Sequence, residues 1–362
     1  MREVAITGVA YLVLTTQEKL EGESMKRVFS LSLAVTLLTV CGLFSSALAQ
    51  SEQGLENGQS PVVSHRTNPD GADNPFTVRP GSDDLNQPGP AGQAGFALTT
   101  GGTAAVTPTI TYHNGPLIGT PTIYLIWYGN WNRGNGTDTP AGQQIIRDWA
   151  ASIGGSPHFQ INQTYSINGY TITGNVNYGG QTTTLNYPQG TSLTDSEVQT
   201  VVNSAITSGR LPYNSAGVYF VLTSSDVAES SGFCTQYCGW HTAGTPSAGH
   251  VRYSFVGNAA RCISACAAQS NSPNGNPGVD GMISVMTHEL EEATTDPDIN
   301  AWYDINVAEN ADKCAWTFGH FQYQVANGSW ANIHLGTRDY LIQRNLRRNS
   351  TGNFCMMDST HN

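Results

Sequence analysis

The stretch Met282-Ile-Ser-Val-Met-Thr-His288-Glu289-Leu-Glu291-Glu292-Ala-Thr-Thr295 carries its apolar residues at helical spacing and stops at Asp296-Pro297, a dipeptide that disfavours another turn. His288 and Glu292 are four apart, so a helix sets them on one face a turn from each other, with Glu289 displaced around the side. This is the layout of the H-E-x-x-H metalloprotease helix, in which two histidines hold zinc and the glutamate works on bound water. Here the second histidine is Glu292. One imidazole with two carboxylates neutralises a divalent cation, so a bound water is polarised less. The harder donor set also lets calcium, magnesium or manganese compete with zinc. The pattern signals a metal more strongly than it signals proteolysis.

The surroundings reinforce that signal. From Cys262 to Asp312 there is no lysine or arginine, yet nine carboxylates. Crowded carboxylates raise one another's pKa unless something offsets the repulsion, and a cation is the sharpest candidate. His288 and Glu292 are the expected ligands. Glu309, seventeen residues beyond Glu292, is the expected third, placed as thermolysin-like enzymes place a later glutamate. Asp298, ten beyond His288, is the alternative third ligand, and Asp312 is expected to orient His288 from behind. Glu289 is the candidate general base and Tyr303 a candidate donor to a tetrahedral intermediate. His241, beside a cysteine, reads as structural, and no serine sits in a G-x-S-x-G elbow.

Residues 1–49 read as an upstream extension followed by a secretory signal over about 25–49: Met25-Lys-Arg27, an apolar run to Leu43, and Ala47-Leu-Ala49 as the cleavage site. With no other long apolar run, no membrane span is expected. Removing the signal removes Cys41 and leaves Cys234, Cys238, Cys262, Cys266, Cys314 and Cys355, an even set that implies disulfides in an exported chain. The two C-x3-C spacings can pair internally or across to each other, and zinc binding by these cysteines is the rival reading. The net charge of −11 argues against nucleic-acid and anionic-membrane partners.

Residues 50–107 read as a disordered polar linker or pro-segment, and the folded domain as 108–362. Thr122 to Tyr128 and Gly217 to Leu222 are buried strands. Thr139-Pro140 caps a helix carrying Ile145, Ile146, Trp149 and Ile153. Tyr165 to Leu185 alternates as hairpin strands do, and Thr194-Asp-Ser-Glu197 is a capping box. Cysteine-bearing loops follow, with a strand at Val251 to Val256 between them. The segment Asn271 to Gly278 is a loop leading into an amphipathic helix from Met282 to Thr295.

Several ordered pieces resemble one known family: Tyr112-His-Asn-Gly-Pro-Leu117, Leu125-Ile-Trp-Tyr-Gly129, Phe220-Val-Leu-Thr-Ser-Ser-Asp226, Cys238-Gly-Trp-His241, Val279-Asp-Gly-Met-Ile-Ser284, His288-Glu-Leu-Glu-Glu292, Asn300-Ala-Trp-Tyr303 and Arg338-Asp-Tyr-Leu-Ile-Gln343. Together, over about Ile110 to Cys355, they look like the EXORDIUM, or phosphate-induced protein, family. The resemblance implies secretion and kinship of fold. The family is best known from plants, with members secreted to the cell wall and linked to growth and nutrient responses. This chain departs from the plant pattern in its long polar N-terminal segment, in Glu291 where plant members tend to have alanine, and in Asp298 where an apolar residue is expected. Its short start and lysine-arginine signal suit a bacterial relative.

The expected fold is a single α/β domain with a mixed sheet and a zincin-like arrangement, stapled by disulfides. Two functions compete. One is a secreted metal-dependent hydrolase, peptidase-like and zinc-dependent, acting on an extracellular substrate. The other is a non-catalytic extracellular or cell-wall factor whose metal or acidic cluster is structural.

Overall fold

Every residue of the apolar run Thr122–Tyr128 is buried, because this strand lies inside a sheet covered on both faces. The computed structural model describes residues 105–361. The expected signal segment, Cys41 and the polar segment up to residue 104 lie outside the described residues.

In chain order the elements that build the domain are β1 (Thr111–Tyr112), β2 (Thr122–Tyr128), α1 (Pro140–Ala150), β3 (Asn177–Thr184), β4 (Ser192–Leu193), α2 (Asp195–Thr207), β5 (Gly217–Thr223), β6 (Ala228–Glu229), β7 (Gly239–Gly244), β8 (Val251–Gly257), α3 (Ile263–Cys266), α4 (Pro277–Thr295) and β9 (Trp302–Tyr303). Short C-terminal hairpins follow between Tyr323 and Met356. The central sheet runs β3-β2-β5-β8-β7; the first four strands are parallel and β7 is antiparallel on the edge beside β8. The fold is mixed α/β with a mixed sheet.

The helix starts follow from local chemistry. Thr139 accepts a hydrogen bond from the Gly142 amide ahead of Pro140, and Thr194 with Glu197 closes a full capping box at α2. Asn276-Pro277 does the same for α4, where the Asn276 side chain accepts from the Val279 amide. The helix therefore begins at Pro277 and not at Met282, since Asn-Pro is an N-cap with proline in the first turn and not part of the preceding loop.

Two other expectations are corrected. The Tyr165 to Leu185 region is not a hairpin: a 3-10 turn over Phe159–Tyr165 and an isolated bridge between Ile167 and Tyr170 precede the single edge strand β3, which pairs with β2. A half-exposed parallel edge alternates just as a hairpin does. Nor is α4 amphipathic in the solvent sense, because every residue from Gly278 to Thr295 is buried. It is packed against β7, β8, β5, α1, α3 and the 3-10 turn at Phe159–Tyr165. Glycines permit the close fit: a Cβ on Gly239 of β7 would stand 2.5 Å from Val285 Cγ1, and one on Gly281 would stand 2.8 Å from Cys266 O.

Six cysteines form Cys234–Cys262, Cys238–Cys266 and Cys314–Cys355. The two C-x3-C pairs thus join across to each other, tying the loop before β7 to the short helix α3. The third bond, spanning 41 residues, anchors the segment behind α4 to the last hairpin. A loop of that size restrains the unfolded chain by about 4 kcal/mol in the chain-entropy picture. Replacing Cys314 and Cys355 together with serine should lower the thermal midpoint by roughly 10 °C in calorimetry.

Candidate metal centre

The lysine- and arginine-free run resolves into two groups of carboxylates. Asp280 accepts from the amide and side chain of Asn274, and Asp296 accepts from the amides of Asn300 and Ala301. Asp298 pairs with Arg252 and His250, Asp304 with Lys313, and Glu291 with His158 at 2.8 Å. The remaining four, Glu289, Glu292, Glu309 and Asp312, gather round two imidazoles, His241 and His288.

Glu292 stands between the rings. Its Oε1 lies 3.0 Å from His288 Nε2 and its Oε2 lies 3.5 Å from His241 Nδ1. On the His288 side, Asp312 Oδ1 is 3.4 Å from the same Nε2. On the His241 side, Glu289 Oε2 is 3.3 Å from Nδ1. Each set of three donors, His288/Glu292/Asp312 and His241/Glu289/Glu292, lies within 4.8 Å of one another. Bond lengths of 2.0–2.1 Å to zinc in a tetrahedron give donor separations of about 3.4 Å, so both sets fit a small cation.

The outer face of each ring is also engaged. His288 Nδ1 meets the side-chain amide of Gln343, while His241 Nε2 faces Asp296 O at 3.4 Å and Glu309 Oε1 at 3.7 Å. Such contacts fix ring orientation and tautomer in metal sites. The segment behind α4 is laced to the helix, since the Asp312 amide donates to Glu292 Oε1 at 3.0 Å and the Glu309 amide to Asp312 Oδ2 at 3.0 Å. The centre is sealed: His288 and Glu289 are 0%, Glu292 1% and Glu309 4% exposed.

Burial and mutual charge set the protonation pattern. Burial pushes both histidines down, but the Glu292 charge on His288 and the Glu309 charge on His241 outweigh it and hold both well above the ordinary imidazole value. Burial also opposes ionisation of Glu292, yet the charge of His288 and hydrogen bonds from both rings bring it down to about 2. Burial raises Glu289, and burial with the Glu292 charge pushes Asp312 up to about 7. Of Glu289, Glu292 and Asp312, Glu292 is the one that stays charged.

His288 and Glu292 thus meet as their spacing on the helix requires. Asp312 reaches the His288 ring itself, while Glu309 faces His241. Asp298 is drawn away to Arg252 on β8. Tyr303 lies on β9, stacked on His113 with ring centroids 3.6 Å apart. The residue that the sequence reading undervalued is His241, which β7 carries into the centre. Its usable signal was the position three residues after Cys238, but it takes the pairing of β7 with β8 and the Cys238–Cys266 bond to bring that strand beside α4.

A second acid-rich cluster lies at the start of α2. Ser231 Oγ bonds Asp195 Oδ1 and Glu229 Oε1, each at 2.9 Å, and the Tyr237 hydroxyl donates to Glu229 Oε2. Burial, with the Asp195 charge, pushes Glu229 up to about 7 from 4.5. The native state therefore holds this proton more tightly than the unfolded chain. Its stabilisation is full below pH 4.5 and is lost as pH rises through 7, by on the order of 3 kcal/mol. Glu229→Gln should flatten the fall in stability between pH 4.5 and 7 in urea titrations; a fall as steep as that of the parent would refute the assignment.

Among the described residues no helix is long and apolar enough to cross a membrane. A family profile described as "Phosphate-induced protein 1 conserved region" matches residues 110–340. Protein EXORDIUM-like 3 of Arabidopsis thaliana is 35% identical over 274 residues, covering 65% of this chain and 79% of that protein. Protein EXORDIUM-like 5 of Arabidopsis thaliana is 34% identical over 223 residues, covering 54% of this chain and 59% of that protein. Protein PHOSPHATE-INDUCED 1 of Nicotiana tabacum is 26% identical over 226 residues, covering 54% of this chain and 67% of that protein. No solved structure matches. The matched stretch runs from just before β1, through α4 and the acidic segment behind it, to Tyr340 in the C-terminal hairpins, and on it the chain belongs to the EXORDIUM-like, phosphate-induced protein family.

Proposed function

We propose that the chain is an extracellular EXORDIUM-like protein that acts without catalysis, its buried histidine and carboxylate centre holding a divalent cation as a structural element. One observation carries this reading: Glu289, the candidate base beside the rings, is wholly buried with His288 and Glu292. A substrate has no approach to a group so enclosed, whereas a structural ion needs that enclosure. Secretion is supported by the signal-like segment, the even set of disulfide-bonded cysteines and the family. Zinc suits the mixed nitrogen and oxygen donors best, with manganese or calcium as alternatives. The partner would be an extracellular or cell-wall component.

The hydrolase reading keeps one argument, the place of Glu289 on α4, a metal-type helix packed against the antiparallel edge strand β7, which would suit a zincin-like arrangement. It requires the segment 309–314 to move aside. Metal analysis of the purified protein before and after chelation, with thermal unfolding, tests the proposal. Stoichiometric metal, and a midpoint lowered by 10 °C or more after chelation, are expected. Glu289→Gln, assayed for hydrolysis and for thermal unfolding, separates the two readings: a hydrolase would lose turnover, while in the structural protein the change would show only in metal affinity and thermal midpoint, since Glu289 belongs to the His241 donor set.

A further inference from the structure

We infer that Glu292 bridges two divalent cations, one shared with His241 and Glu289 and the other with His288 and Asp312. The inference rests on the reading of this centre as a cation site and adds its nuclearity. The two oxygens of one carboxylate face two different imidazoles, Oε1 toward His288 Nε2 at 3.0 Å and Oε2 toward His241 Nδ1 at 3.5 Å. A single ion held by both rings would leave one oxygen of this carboxylate without its own cation. Two ions place one on each oxygen, at the separation of about 4 Å usual in two-metal sites.

Three further observations point the same way. Each ring has its far nitrogen occupied, His288 Nδ1 by Gln343 and His241 Nε2 by the Asp296 carbonyl, so each presents one nitrogen to the centre. Each side also has its own terminal carboxylate. Glu289 Oε1 and Asp312 Oδ1 are buried oxygens with no hydrogen-bond partner among the described residues, a costly condition for a carboxylate that a cation relieves. Finally, four carboxylates meet here, and two divalent ions with two neutral imidazoles balance them to zero, as burial demands. One imidazole nitrogen with two carboxylates per ion is a donor set for zinc or manganese rather than for calcium, which takes six to eight oxygens.

The test uses full-length protein produced with zinc, dialysed exhaustively and analysed for metal per chain, together with cobalt titration of the chelated protein. Two equivalents are expected. His241→Gln and Asp312→Asn should each retain one, and cobalt bound to the two variants should give different visible spectra, because different donors remain. One equivalent in the parent protein would overturn the bridge and leave the single-ion reading standing. No bound metal would sink both. The parent stoichiometry decides the matter even if either variant fails to fold.

Discussion

Glu292→Ala should be the most damaging single substitution in the α4 centre, lowering stability by about 3–5 kcal/mol and the thermal midpoint by roughly 10–15 °C. The side chain lies between His241 and His288, accepts from the Asp312 amide and is held ionised at pH 7. Truncation leaves two buried imidazoles facing carboxylates that burial disposes to be neutral, and it unhooks the 309–314 segment from the helix. Metal content should fall in the same variant. Glu292→Gln, which preserves shape and the Asp312 contact but not the charge, should recover part of the stability and none of the metal. Calorimetry with metal analysis checks both, and an alanine variant within about 1 kcal/mol of the parent would show that the centre holds nothing together.

The second large effect lies one position earlier. Glu291 and His158 form an ion pair in which both side chains are 0% exposed, with His158 Nδ1 meeting the Met357 carbonyl at 2.9 Å. Burial opposes charge on both partners, but the charge of Glu291 prevails at His158 and raises it above the ordinary imidazole value. Glu291→Ala or His158→Ala alone should cost about 3–5 kcal/mol, because each strands a buried ionisable group. The double change Glu291→Leu with His158→Phe should recover most of that loss, since an apolar pair of similar volume avoids the desolvation altogether. Urea unfolding of the parent, Glu291→Leu, His158→Phe and the protein carrying both changes gives the coupling directly. Additive losses would mean that the two side chains do not act as a pair.

How far the fold could be read depended on whether the signal was local. Thr139-Pro140 and Thr194 to Glu197 stated two helix starts, and the all-apolar runs at β2 and β5 stated two interior strands. Asn276-Pro277 carried the same kind of signal but sat inside a run of glycine, asparagine and proline that looks like a loop throughout. β7 was hidden because Gly239-Trp-His-Thr-Ala-Gly244 is short and follows a cysteine-bearing loop, and its strand character comes from pairing with β8. The burial of α4 on all sides was equally hidden. Its polar residues read as a solvent face, yet they are met by His158, His241 and Asp312 from distant parts of the chain.

The sequence by itself determined that His288 and Glu292 share a helix face, that a carboxylate-rich segment needs a counter-charge, and that six cysteines remain after the signal-like segment. Those are consequences of helical period, charge and count, which a short window contains. The tertiary structure alone decided that the cysteine pairs cross, that β7 runs antiparallel at the sheet edge, and that His241 completes a sealed centre with Glu289 and Glu292. Contacts between residues some fifty positions apart are set by which strands pair and which loops close. No local period encodes that choice.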